Sequence, residues 1–161
     1  MPFPIRKMCN KEIKLDLRIG NCLDVLKQLP DNHYHTCVTS PPYWGLRDYG
    51  TSCQLGLEDT PEEYVTSLVE VFKQVWRVLR DDGTVWLNLG DSYARTGGDS
   101  STQGRHWDGR KNNPNTGHNR YAKDIGLKQK DLVGIPWRVA LALQEDGWYL
   151  RQDIIWHKPN P

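Results

Sequence analysis

Four consecutive residues, Ser40-Pro41-Pro42-Tyr43, join a hydroxyl, two positions without a backbone N–H and an aromatic ring, with Thr39 before them and Trp44 after. A proline pair strips donors from the main chain, so the stretch offers acceptors, chiefly the Ser40 Oγ and the Pro41 carbonyl. The partner that suits such a cradle is an NH2 group with two hydrogens to give. An exocyclic amine on a nucleobase is one, and its lone pair is delocalised into the ring. Holding both hydrogens turns the lone pair out of conjugation and makes the nitrogen a nucleophile. Tyr43 would stack on that base and Trp44 would widen the platform. A base in a duplex must be flipped out to reach them. Taken alone, the same stretch reads first as a turn that ends a strand. No cysteine lies in it, so no covalent adduct with the base is expected.

Such a cradle needs a strand end to hold it. Leu15 to Ile19 alternates apolar and charged residues and reads as a short strand, followed by the Gly20-Asn21 turn. Asn21 can cap a helix running to about Leu29, which Pro30-Asp31-Asn32 ends. Tyr34 to Val38 reads as a second strand that stops at Thr39-Ser40-Pro41-Pro42, because prolines cannot continue a central strand. Thr60-Pro61-Glu62-Glu63 is a helix start: Thr60 as N-cap, Pro61 at the first helical position, Glu63 closing a capping box. Val65, Leu68, Val69, Phe72, Val75, Trp76 and Leu79 follow at helical spacing, a stripe that reads as core, until Asp81-Asp82-Gly83 stops the helix. Thr84 to Leu89 suits a buried parallel strand ending at Gly90-Asp91. Pro136 opens a further helix that ends near Asp146-Gly147, and Trp148 to Trp156 reads as a last strand before Lys158-Pro159-Asn160-Pro161. Alternating strands and helices predict an α/β chain with a mostly parallel sheet. Ligands in such sheets bind beyond the carboxyl ends of the strands, where the breaks at Ser40 and Asp91 fall.

At 161 residues, 37% hydrophobic and 25% charged, with seven Trp and seven Tyr, the chain is of the size and make-up of one folded domain, 1–161. Its net charge of +1 is uneven. From Ser92 to Lys130, where periodicity disappears, eight Lys or Arg face three Asp, a local +5 that leaves −4 elsewhere. A basic segment on a mildly acidic body predicts a polyanion-facing loop, 92–130, with little regular order; a solvated insertion reads nearly as well. Trp107 and Tyr121 in it could stack on bases, though such loop aromatics are usually incidental. Cys9, Cys22, Cys37 and Cys53 form no CxxC pair, and His157 has no carboxylate or cysteine at ligand spacing, so no metal is expected. Isolated thiols fit a reducing, cytoplasmic setting. No signal peptide and no run long enough to span a bilayer is seen.

The stretch Thr39 to Trp44 resembles motif IV of the S-adenosylmethionine-dependent DNA amino-methyltransferases, which is Asp, Asn or Ser, then Pro-Pro and an aromatic. Gly20-Asn21-Cys22-Leu23-Asp24-Val25-Leu26 resembles the strand-turn-helix before it, with Asn21 where the family usually carries Asp. Gly83 to Asp91 is similar to the strand after it. Gly147-Trp148-Tyr149-Leu150-Arg151 through Ile155-Trp156-His157-Lys158-Pro159-Asn160-Pro161 is similar to the late motif with its Trp-x-Lys-Pro-Asn core. The resemblance implies a site-specific DNA methyltransferase of the N4-cytosine or N6-adenine type, in the permuted beta subgroup, whose catalytic motifs come first. It implies Ser40, Pro41, Pro42 and Tyr43 as catalytic, Trp44 and Lys158 on the substrate, and Asn21 and Thr39 at the cofactor. Ser at the first motif position favours cytosine N4 over adenine N6.

No Gly-x-Gly loop after an apolar strand occurs in the chain, and the family's recognition segment would lie beyond Pro161. The expectation is therefore a partial Rossmann-like methyltransferase sheet lacking the cofactor-binding strands. Such a chain alone would bind S-adenosylmethionine weakly or not at all. Activity then needs a complementary C-terminal half, or the unpaired edges are closed by self-association. A competing reading is a noncatalytic remnant that serves assembly or DNA binding, and a third places the amino group on RNA or protein. Asp91 reads as a cap at least as well as a site residue. Lys158 reads equally as a phosphate contact and a solvated side chain, and Trp156 as packing.

Overall fold

The computed structural model describes residues 15–51, 54–94, 125–157 and 159. Five elements follow in order: α1 (Cys22–Lys27), β1 (Tyr34–Thr39), α2 (Pro61–Val78), β2 (Leu79–Leu87) and α3 (Ile135–Glu145). The architecture is a small mixed α/β arrangement around a two-stranded parallel sheet.

Local chemistry explains the helix boundaries. Asn21 accepts from the Leu23 N–H at 2.9 Å and starts α1, which ends two residues before Leu29. Thr60 and Glu63 form the complete capping box, with both reciprocal bonds present. α2 presents Pro61, Tyr64, Leu68, Phe72, Val75 and Val78 inward at three- and four-residue steps. α3 meets that row with Ile135, Val139 and Leu143. Each large apolar side chain so buried contributes about 1.5–3 kcal/mol. Arg138 of α3 pairs with Glu62 at the start of α2, at 2.6 Å. Phe72 and Trp76 each meet the edge of Trp148. Phe72 is core, as expected, but Trp76 is half exposed.

Arg77 ties α1 to α2. Its guanidinium donates to the Leu26 and Leu29 carbonyls at 2.7 and 3.0 Å, and pairs with Asp31. Orphan carbonyls at the end of a short helix thus gain a cationic partner. Asn32 and His33 then donate to the carbonyls of Arg77 and Val78, which sets β1 beside the end of α2.

Three expectations change. Asp81-Asp82-Gly83 does not end α2, which stops at Val78; these residues lie inside β2. They form an irregularity, since Tyr34 pairs with Leu79 whereas Thr36 pairs with Thr84. β2 is parallel to β1, as expected, but only one face is covered. Cys37, Val85 and Leu87 pack against the core, whereas Val38 and its register partner Trp86 are 75% and 52% exposed. Residues 15–19 and 148–156 form no strand. Leu17, Ile19, Ile155 and Trp156 are exposed there. A strand needs a neighbour for its N–H and C=O groups, and the described residues offer neither segment one. Among the described residues the expected mostly parallel sheet of several strands is two strands. Of the 92–130 segment, the described ends are joined, with Tyr93 bridging Leu132 and Ala94 bonded to Lys130 and Asp131. Trp107 and Tyr121 lie outside the described residues. Among the described residues no helix is long and apolar enough to cross a membrane.

Candidate functional site

Parallel pairing brings the carboxyl ends of β1 and β2 together, since Thr39 is the register partner of Leu87. The pairing continues one step, with the Asn88 N–H donating to the Thr39 carbonyl at 2.9 Å. Ser40-Pro41-Pro42-Tyr43 therefore leaves the sheet directly beside Asn88-Leu89-Gly90.

The turn after β1 is held from three sides. Tyr64 on α2 is fully buried, and its hydroxyl donates to the Pro42 carbonyl at 2.8 Å. Burial, with Glu58 and Tyr43 adding to it, pushes the Tyr64 phenol well above its ordinary range, so it stays protonated as the donor. Trp44 is in the core, and its indole N–H donates to the Glu58 carbonyl at 3.1 Å. The structure thus sets Trp44 beneath the motif as an anchor and leaves Tyr43 half-buried, its ring over Gly90. Gly56, at φ +91°, closes the third side: its carbonyl takes the Gly45 N–H at 2.7 Å. A Cβ at Gly56 would lie 2.9 Å from the Tyr43 carbonyl oxygen.

What remains open is the acceptor pair. The Pro42 and Tyr43 carbonyls receive donors, from Tyr64 and Leu46. Among the described residues the Pro41 carbonyl receives none. Ser40 is exposed, and its Oγ donates to the Tyr43 hydroxyl at 3.3 Å. The same phenol oxygen accepts from Asn88 Nδ2 at 3.1 Å. The Tyr43 ring lies so close over Gly90 that a Cβ there would sit 2.8 Å from two ring carbons. Ser40, Pro41 and Tyr43 are thus together at one sheet end.

Other site candidates fall elsewhere. Asn21 uses its side-chain oxygen to cap α1. Asp91 is a cap as well, accepting from the Ser92, Gly134 and Ile135 N–H groups at 2.9–3.1 Å. It serves the start of α3, where Gly134 has no side chain to do so. Lys158 lies outside the described residues. Trp156 is exposed rather than packed. Among the described residues no group of three or more His, Cys, Asp or Glu could hold a metal ion. Tyr64, Gly56, Asn88 and Gly90 escaped the sequence reading. The Asn-x-Gly that closes the apolar run of β2 was the one available signal, because adjacent parallel strands end side by side.

The carboxyl ends of β1 and β2 thus gather Ser40, Pro41, Tyr43, Asn88 and Gly90 at one place. The chain belongs to the DNA methylase family, whose profile matches residues 34–161. It is 52% identical to the type II methyltransferase M.XycI of Xanthomonas campestris pv. cyanopsidis over 88% of this chain and 45% of that protein. M.Cfr9I of Citrobacter freundii and M.SmaI of Serratia marcescens are each 50% identical over 88% of the chain, and 45% and 47% of their own lengths. The chain thus spans a little under half the length of these curated relatives. No solved structure matches it significantly.

The family implies S-adenosylmethionine. The described residues supply no more than a rim for it: no Gly-x-Gly turn follows either strand, the sheet has only two strands, and Asn21 is engaged in its cap.

Proposed function

We propose that this chain is the catalytic portion of a site-specific DNA methyltransferase that modifies an exocyclic amino group, cytosine N4 in preference to adenine N6. One observation carries the reading: among the described residues the Pro41 carbonyl beside Ser40 Oγ receives no donor, while the Thr39, Pro42 and Tyr43 carbonyls are engaged by Asn88, Tyr64 and Leu46. In this reading the target base is flipped from DNA and stacks on Tyr43. Ser40 and Pro41 accept the two amine hydrogens and free the nitrogen lone pair, with positioning in a dry pocket as the driving effect. S-adenosylmethionine would supply the methyl group, with Asn21 and Thr39 at the edge of its site and Lys158 near a DNA phosphate. The chain forms one partial domain of a Rossmann-like sheet of the permuted beta subgroup. A complementary C-terminal portion supplies the cofactor strands in this reading, and the chain alone is weakly active or inactive. The protein works in the cytoplasm as part of a DNA-modification system.

The test mixes the chain with the portion of the Serratia marcescens relative that it does not cover. Transfer of labelled methyl to unmodified DNA, followed by nucleoside analysis, should give N4-methylcytosine. Ser40→Ala should lower the turnover by roughly 10²-fold or more, the usual weight of a group that aids proton handling in the transition state. Methyl label found on RNA or protein, or unchanged turnover in Ser40→Ala, would refute the proposal. The second reading, a noncatalytic assembly module, draws on the exposed apolar residues at 15–19 and 154–156. It predicts self-association and no methyl transfer even when the complementary portion is added.

A further inference from the structure

A serine hydroxyl is ambiguous. It carries one hydrogen and two lone pairs, and by rotating it can present either to a ligand. The Pro41 carbonyl has no such freedom, since a carbonyl only accepts. Cytosine carries an amine where thymine carries a carbonyl, and adenine and guanine differ in the same way. A pocket built from Pro41 and a free serine would therefore read only one of its two contacts as specific for NH2.

Ser40 Oγ is placed to donate to the Tyr43 hydroxyl at 3.3 Å, an orientation that leaves its lone pairs for a ligand. The Tyr43 oxygen is itself held where it can receive that hydrogen. Asn88 Nδ2, a donor, reaches it at 3.1 Å, and the Asn88 main chain is fixed to Thr39 at 2.9 Å across the ends of the two strands. Gly90 gives the ring room to lie there, since a Cβ would collide with it at 2.8 Å. The stacking of a base on Tyr43 does not require a phenol; a phenylalanine would stack as well.

We infer that the Tyr43 hydroxyl, positioned by Asn88, accepts a hydrogen bond from the Ser40 hydroxyl and so leaves Ser40 to face a ligand with its lone pairs, so that the pocket admits amino-bearing bases and rejects keto-bearing ones. Asn88 is a positioning residue, acting through Tyr43 on Ser40. The inference rests on the proposed amino-group cradle and adds to it the origin of its base selectivity.

The test uses the chain itself with short single-stranded homopolymers of deoxycytidine and thymidine. Fluorescence anisotropy is read at salt high enough to suppress backbone contacts. The wild-type chain should bind the deoxycytidine oligomer roughly tenfold more tightly, the effect expected when a lone pair covered by the bound base faces a donor rather than another acceptor. Tyr43→Phe keeps the ring over Gly90 and removes the hydroxyl; it should bring the ratio near one. Asn88→Ala should lower the ratio at least ~3-fold while leaving the thymidine affinity unchanged or raised. A purely structural role would weaken both oligomers alike. A ratio retained in both Tyr43→Phe and Asn88→Ala overturns the inference, and so does a wild-type ratio of one. Ser40→Ala separates the two levels. Lost preference in Ser40→Ala but not in Tyr43→Phe leaves the cradle standing and removes only the proton arrangement. Preference that survives Ser40→Ala removes the cradle as well.

Discussion

Tyr64→Phe deletes one oxygen atom from a fully buried side chain and leaves its ring in place. That oxygen donates at 2.8 Å to Pro42, and so joins α2 to the turn that carries the proposed chemistry. Two costs add: the bond itself, and a half-buried Pro42 carbonyl left with no donor. Together they come to about 2 kcal/mol, within the range of about 1–3 for an orphaned buried partner. A chain of this size has a urea slope near 2 kcal/mol per molar, so the midpoint should fall by about 1 M with the slope unchanged. The pH dependence checks the same bond independently. Burial raises the folded-state pKa of this phenol, so its neutral form is the stable one in the fold. The unfolded chain releases that proton near pH 10, its ordinary value. The contribution is therefore fully present below about pH 10 and is lost as pH rises beyond it, because the unfolded state then binds fewer protons than the folded one. Urea midpoints measured from pH 7 to 11 should fall more steeply at the alkaline end for the wild type than for Tyr64→Phe. An unmoved midpoint, or parallel alkaline declines in the two proteins, would refute the assigned role of this hydroxyl.

Further outcomes follow from the same frame. Gly56→Ala places a Cβ against two backbone carbonyls at a backbone angle of +91°, and neither can give way like a flexible side chain. It should cost about 1–3 kcal/mol and loosen the motif turn, read as a lower urea midpoint together with faster amide exchange at Gly45. Asp91→Ala removes a carboxylate that serves three backbone donors. It should cost about 1–2 kcal/mol in stability, in line with other lost helix caps, while the deoxycytidine-to-thymidine ratio stays unchanged. A changed ratio would return Asp91 to the site.

Local signals were legible wherever one segment could satisfy itself. The capping box at Thr60 and Glu63 needs only four residues, and it formed as read. Asn21 capped α1 for the same reason, and the proline pair ended β1 at the expected place. Signals that need a partner fared differently. The alternation at 15–19 and the apolar run at 148–156 have strand character, yet among the described residues they meet no strand and stay unpaired. Trp44 sits next to Tyr43 in the chain, but a turn sends adjacent side chains in different directions; one went to the core and the other lies half-buried over Gly90.

The residue types that can only accept, Pro41 above all, and the order of helix and strand around them are written in the chain, since they depend on covalent structure and short-range contacts. Which carbonyl of the turn is engaged, and where the Tyr43 hydroxyl is held, depends on Tyr64 and Asn88, which lie 22 and 45 residues from the groups they bind. Such contacts exist only once β1, α2 and β2 have packed, because no local rule brings groups that far apart in the chain to hydrogen-bonding distance.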